Sequence, residues 1–247
     1  MEYGERDKEI DTAVLSMIIL VLTFIFIFSS GVLDENQSLE NIIGSEYISD
    51  YNLAIFRTIC AIICFFTLTW IVLDPKGAPD FPLYFKERKI GPRHRKGLTR
   101  LAAYTMWHFG LIGISFSFSA AASWMVISGI IVPNWILTIS PIICFTSFTT
   151  AILVTCVVTF HIIGDAISRS QNVDHLFYWY EIVMHNLNVV ILAIALIINN
   201  FEVDWRYFAF PIIFGILYVT WARIYAKIEG VYINDYMDPR LNGAPIK

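Results

Sequence analysis

Phe177-Tyr-Trp-Tyr-Glu-Ile-Val-Met-His-Asn-Leu-Asn-Val-Val-Ile-Leu-Ala-Ile-Ala-Leu-Ile-Ile-Asn199 is long and apolar enough to cross a bilayer, yet it carries Glu181, His185 and Asn188. These three sit four and then three residues apart, which on a helix places them within about 60° of one another. An ionisable group in a membrane helix costs roughly 3 kcal/mol, so it faces a protein interior or a cavity rather than lipid. The stretch reads as a span with a working face. The fold question is then how many more spans surround it.

Composition answers in the same sense. Of 247 residues, 57% are hydrophobic and only 15% charged, with a mean hydropathy of +0.62. A soluble domain carries about 25% charged residues. Five further runs reach spanning length, so the spans fall near 12–33, 53–73, 101–128, 136–163, 177–199 and 207–227. The expected fold is all-α, a polytopic membrane bundle of six helices in one transmembrane domain over residues 1–247.

Charge placement orients the bundle. The amino end, the loop 74–100, the loop 165–176 and the tail hold all but two of the 17 Lys and Arg. One exception is Arg57, inside the second span, and the other is Arg206, in a turn on the opposite side. The positive-inside rule then puts both termini in the cytoplasm. The net charge of −4 hides this asymmetry. No basic, aromatic-interleaved surface points to nucleic acid.

Other landmarks are spread along the chain. The first run has no ionisable residue and reads as a lipid-facing anchor. Asp34 to Tyr51 is acidic, has no Lys or Arg, and carries the glycosylation triplet Asn36-Gln37-Ser38. Arg57 is expected to snorkel to the interface, with pairing inside the bundle as the alternative. The long loop is interrupted by Pro75, Pro79, Pro82 and Pro92 and by Gly77, Gly91 and Gly97, so little regular structure is expected there. Its Lys86, Arg88, Lys89, Arg93, Arg95 and Lys96 read as a topology determinant, with a platform for anionic lipid head groups, worth about 1 kcal/mol per base, as the functional alternative. Cys60, Cys64, Cys144 and Cys156 read as buried free thiols.

The polar residues gather at one depth. Thr105, His108, Ser115, Ser119 and Ser123 fall within an arc of about 80°, and small hydroxyl residues on one face suit close helix packing in membranes. At 1.5 Å per residue, Thr105 lies roughly 6 Å in, His108 about 10 Å and His185 about 12 Å. His161 and Asp165 end the fourth span on the same side.

Three chemistries fit this set. A threonine hydroxyl becomes a nucleophile once a base takes its proton, and a neutral His is a suitable base. Glu181 or Asp165 would hold the imidazole, and the amides of Asn186 or Asn188 would face a developing oxyanion. No Gly-x-Ser-x-Gly elbow is present. A second chemistry is a haem or zinc site built from His108, His161 and His185. No His-x-x-His, His-Glu-x-x-His or Glu-x-x-His spacing supports it, so no metal ligand is assigned and no cofactor is expected. The third has these groups only satisfying one another and fixing helix register.

Tyr51-Asn-Leu-Ala-Ile-Phe-Arg57 with the apolar run to Trp70, Tyr104-Thr105-Met-Trp107, His185-Asn-Leu-Asn188, and Pro211 to Tyr218 together resemble the rolling stone proteins. Those belong with the androgen-induced and androgen-dependent membrane hydrolases in one superfamily. The resemblance covers roughly residues 51–233. It implies an intramembrane Thr and His pair that cleaves fatty acid esters of hydroxy fatty acids, and the matching positions are Thr105 and His185. Two departures stand. The hydrolases tend to small hydroxyl residues and a proline where this chain has Asn-Leu-Asn, and the first span and acidic turn have no clear counterpart in them. The rolling stone branch is associated with cell fusion at the plasma membrane. The expected function is therefore hydrolysis of a lipid ester, with membrane lipids as partners, in the plasma membrane or an endomembrane. The alternative is a non-enzymatic membrane protein, an adhesion or fusion factor or an accessory subunit bound to other membrane proteins.

Overall fold

The computed structural model describes residues 7–35, 37–168 and 173–241, leaving aside the side chains of Asp165, His175 and Tyr236. Asn36 of the glycosylation triplet and Arg169 lie outside the described residues. Six helices are long and apolar enough to cross a membrane: Glu9–Ser30, Asp50–Leu73, Tyr104–Ile127, Asn134–Ser168, Trp179–Ile198 and Trp205–Glu229. The all-α, six-span architecture expected from hydropathy is the one found. The ends of the spans differ from expectation by a few residues.

The elements run α1 (Glu9–Ser30), α2 (Leu39–Ile43), α3 (Asp50–Leu73), α4 (Tyr104–Ile127), α5 (Asn134–Cys156), α6 (Ile163–Ser168), α7 (Trp179–Ile182), α8 (Asn188–Ile198) and α9 (Ala209–Glu229). A π-helical turn, Val157–Ile162, joins α5 to α6, and another, Val183–Leu187, joins α7 to α8. The fourth and fifth spans are thus each one continuous helical path with a wide turn in it.

α1 is apolar on every side and lies at the edge of the bundle. Only 11% of its most apolar window is buried, as an all-round apolar helix in lipid requires. It packs against α9, with Glu9 Oε1 lying 2.5 Å from Lys227 Nζ. The centre is the α3–α4 pair, where small residues let the backbones approach. A Cβ on Gly113 would come within 3.1 Å of both Cys64 Cβ and the Phe65 ring. Ser115, Ser119 and Ser123 are buried along α4. Around them Cys60, Cys64, Phe109, Ile112, Met184 and Leu192 form the main apolar core. Cys60, Cys64 and Cys144 are buried free thiols, whereas Cys156 is exposed.

Arg57 does not snorkel. It is 1% exposed, and its guanidinium reaches Ser123 Oγ at 2.6 Å, the Ser119 carbonyl at 3.3 Å, the Ile42 carbonyl at 2.6 Å and the Asn199 side-chain oxygen. The reason lies in its surroundings: three helices present carbonyl and amide oxygens toward it, and a planar fork of five donors can use them all. Ser38 caps α2 by accepting the Asn41 N–H at 3.1 Å, which sets the Ile42 carbonyl on the guanidinium.

The long loop is more regular than its prolines and glycines suggest. Strand β1 (Ala78–Asp80) pairs antiparallel with β4 (Arg93–Arg95), and β2 (Leu83–Tyr84) pairs with both β3 (Lys89–Ile90) and β5 (Val231–Tyr232) of the tail. Prolines are tolerated because these are short edge strands. Gly77, at φ +68°, has no room for a side chain, since a Cβ would collide with the Arg95 carbonyl oxygen. Asp80 Oδ2 lies 3.2 Å from Arg93 Nη2 and 3.0 Å from Arg95 Nε. Arg100 donates to the Ile71 carbonyl at 2.8 Å. Loop and tail form a small cap over the end of the bundle that also holds the start of α1.

Candidate functional site

The site is built where α4 begins. The chain leaves a 3-10 turn, Gly97–Ala102, passes through extended Ala103, and enters α4 at Tyr104. Thr105 is thus the second helical residue. Elsewhere in the spans, Thr23, Thr58, Thr67, Thr146, Thr149, Thr150 and Thr220 each donate to the carbonyl four residues back. Thr105 precedes the first full turn, so its helix offers no such acceptor. Its own N–H likewise lacks an acceptor within the helix.

The two π-helical turns sit opposite this helix start. His161 lies in one and His185 in the other. A π turn accommodates one extra residue, which loosens a carbonyl and re-aims the side chains around it. The His185 carbonyl is taken up by Thr155, whose Oγ1 donates to it at 2.5 Å. His185 Nε2 lies 2.9 Å from Glu181 Oε2. With Glu181 as a carboxylate and the imidazole neutral, Nε2 carries the proton. Nδ1 is then the lone-pair nitrogen, and it is buried without a hydrogen-bond partner. The pair is well enclosed, with side-chain exposures of 8% for His185 and 15% for Glu181.

Thr105, His161, Glu181 and His185 line one cavity of about 260 Å³, with Met106 and Val158 between them. Its roof is the cap: Asp80, Phe81 and Arg95 from the loop, and Ile233, Asn234 and Asp235 from the tail. A second cavity of about 560 Å³ adjoins it, walled by apolar residues of three spans, including Leu153, Val157, Tyr218 and Val219. Ala103, Thr105, Val158, His161, Ile162 and Asn234 border both. Thr105 therefore stands at the junction of a polar chamber and an apolar groove.

Other expected members lie elsewhere. Asn188 does not line the cavity that Glu181 and His185 share. It is buried deeper, with its amide Nδ2 3.4 Å from Nε2 of the fully buried His108. Asn186 is exposed. Neither asparagine lines the cavity. The side chain of Asp165 lies outside the described residues. Lys86, Arg88, Lys89 and Lys96 are exposed on the cap, whereas Arg93 and Arg95 are turned onto Asp80. Among the described residues, no three His, Cys, Asp or Glu side chains come together as a metal ion would need.

The π turns, Thr155 and the tail residues Asn234 and Asp235 had no signal in the sequence. Comparison of the chain with protein-family models, curated proteins and solved structures finds no match.

Proposed function

We infer that the protein is an integral membrane hydrolase of lipid esters, with Thr105 as nucleophile and His185 as base. The observation that carries this is the shared cavity: Thr105, at the start of α4, and the carboxylate-held His185 line one chamber that continues into an apolar groove. Glu181 fixes the tautomer in which His185 Nδ1 accepts a proton. Thr105 Oγ attacks the ester carbonyl as its proton passes to His185. The tetrahedral intermediate collapses, the alcohol leaves with that proton, and water then releases the acyl group from Thr105.

With the asparagines absent from the chamber, the developing oxyanion would meet the start of α4. The first N–H groups of a helix are donors without helical acceptors, and its dipole favours negative charge there. The resemblance of the Tyr104-Thr105-Met-Trp107 and His185 segments to the rolling stone and androgen-induced proteins supports the same pair. In this reading the cap faces the cytoplasm, in keeping with its bases, and the ester comes from the adjoining leaflet.

The test is adduct mapping with a fluorophosphonate probe on the detergent-solubilised protein, read by peptide mass spectrometry. A probe adduct on Thr105, lost in a folded His185→Ala variant, is expected. Ester hydrolysis that survives Thr105→Ala would remove Thr105 from the role.

A further inference from the structure

The apolar groove raises a question that the chamber does not answer: why α9 has Gly215 in its wall. Glycine costs about 1 kcal/mol relative to alanine inside a helix. In membrane helices that cost is usually offset by close helix contact, as at Gly113, where Cys64 and Phe65 leave no room. Gly215 is the opposite case. Beyond its chain neighbours and its own helix backbone, no heavy atom lies within 4 Å of where its Cβ would be, and its φ lies outside the left-handed range that favours glycine. Neither packing nor backbone conformation calls for glycine here. What the missing side chain leaves is space, and that space belongs to the groove.

The geometry points to the groove as the binding site of a single acyl chain, with Gly215 setting how long a chain it accepts. The surroundings identify the occupant. The walls come from the start of α4, the end of α5 with its π turn, and α9, all within helices long and apolar enough to span a membrane. Leu153, Val154, Val157 and Val219 of these spans offer an apolar surface, joined by Met237 of the tail. The groove joins the chamber along Thr105 and His161, so a chain lying in it places its carboxyl or ester end beside Thr105. This assignment rests on the hydrolase reading for what the chain is esterified to, but not for the chain itself.

The experiment reads binding rather than turnover. The full-length protein in detergent is labelled with photoreactive fatty acids of palmitoyl and of octanoyl length, and the labelled peptides are mapped. In the wild type and in Thr105→Ala, the long probe is expected on the groove-lining segments 153–162 and 215–219. In Gly215→Trp its labelling there should fall roughly tenfold or more, since each methylene excluded from an apolar site weakens binding about fourfold. The short probe should keep its labelling, and Gly215→Ala should resemble the wild type. If Gly215→Trp does not fold, Val219→Trp on the next turn decides by the same comparison. Long-probe labelling unchanged in the folded Trp variant, or spread evenly over lipid-facing α1, would overturn the assignment. Groove labelling without any ester hydrolysis would instead sink the hydrolase reading and leave the acyl site standing.

Discussion

Thr155 Oγ1 donates to the His185 carbonyl at 2.5 Å, from one span to the next. The acceptor lies inside a π-helical turn, and the donor lies two residues before the other π turn. A carbonyl loosened from its helix would be costly in the bundle interior without a partner. The threonine hydroxyl supplies one, and it links the wide turn at His185 to the helix that leads into His161. Removing it should be felt more at the site than in overall stability. For Thr155→Val we expect a stability loss of about 0.5–1 kcal/mol, the range for interhelical hydrogen bonds in membranes, and a larger fractional loss of Thr105 probe labelling. Thermal unfolding in detergent gives the first and labelling rate the second. Equal loss in both would reduce Thr155 to an ordinary packing contact.

Glu181 lies 2.9 Å from His185 Nε2, which in the proposed mechanism leaves Nδ1 to act as the base. Its replacement by Gln keeps shape and hydrogen bonding but can hold the ring in the wrong tautomer, with Nδ1 protonated. Hydrolysis should fall on the order of 10²–10⁴-fold in Glu181→Gln, the scale of general-base contributions, with folding unchanged. The Michaelis constant for a short ester should barely move, since Glu181 orients the base and leaves chain binding alone. A variant with raised KM and unaltered kcat would place Glu181 in substrate binding instead.

How legible each feature is in the sequence depends on the range over which its interactions act. Spans are legible in hydropathy because every residue in lipid reports on itself. Depth counting brings Thr105, His108, His185, His161 and Asp165 to one leaflet, since helix rise is fixed, but it does not tell the cavity's residues from His108. The cap is not legible. Leu83 pairs with Tyr232 across most of the chain, and local prolines and glycines speak only of local preference. Arg57 is a similar case: snorkelling is what an isolated helix would do, while its actual partners Ile42, Ser123 and Asn199 come from three other elements. The π turns have no local signature, and helix spacing alone does not tell the cavity-lining Glu181 and His185 from Asn188, which is held on His108.

Arg57 carries the next prediction. Its buried guanidinium holds α2, α4 and the end of α8, donating to Ser119 and Ser123 of α4, to the Ile42 carbonyl at the end of α2 and to the Asn199 side-chain oxygen. Arg57→Met fills the volume but orphans the Ile42 and Asn199 acceptors, at about 1–3 kcal/mol for each one left unsatisfied. A total loss of roughly 3 kcal/mol or more is expected in detergent unfolding. Arg57→Lys should recover only part of it, because a point charge cannot reach all the acceptors at once. Full stability in Arg57→Met would mean that water or rearrangement satisfies those oxygens.

The cap should be latched by Asp80, which Arg93 and Arg95 both approach from the facing strand. Asp80→Asn removes the charge and leaves two half-buried guanidinium groups without a counterion. Trypsin cleavage within 86–96 is expected to rise several-fold in this variant, and in the wild type to rise with added salt, which screens exposed and partly exposed pairs. Cleavage insensitive to both would mean that strand pairing alone holds the cap.

Acid stability gives a prediction at the other end of the bundle. Arg206 donates to Asp204 at 2.8 Å and 3.0 Å and also engages Glu35. Hydrogen bonding to Arg206 holds the Asp204 carboxyl below the usual carboxylate range. A carboxylate whose folded value is depressed contributes stability above its unfolded value, near 3.9, and loses it as pH falls through the folded value. Asp204→Asn should therefore lower the melting temperature at pH 6, and the gap to wild type should close as pH falls below about 4. Tm measured in detergent across that range checks it. A gap that stays constant down to about pH 3 would mean that Asp204 acts through its Asx-type bond to the Arg206 N–H, at 2.8 Å, rather than through charge.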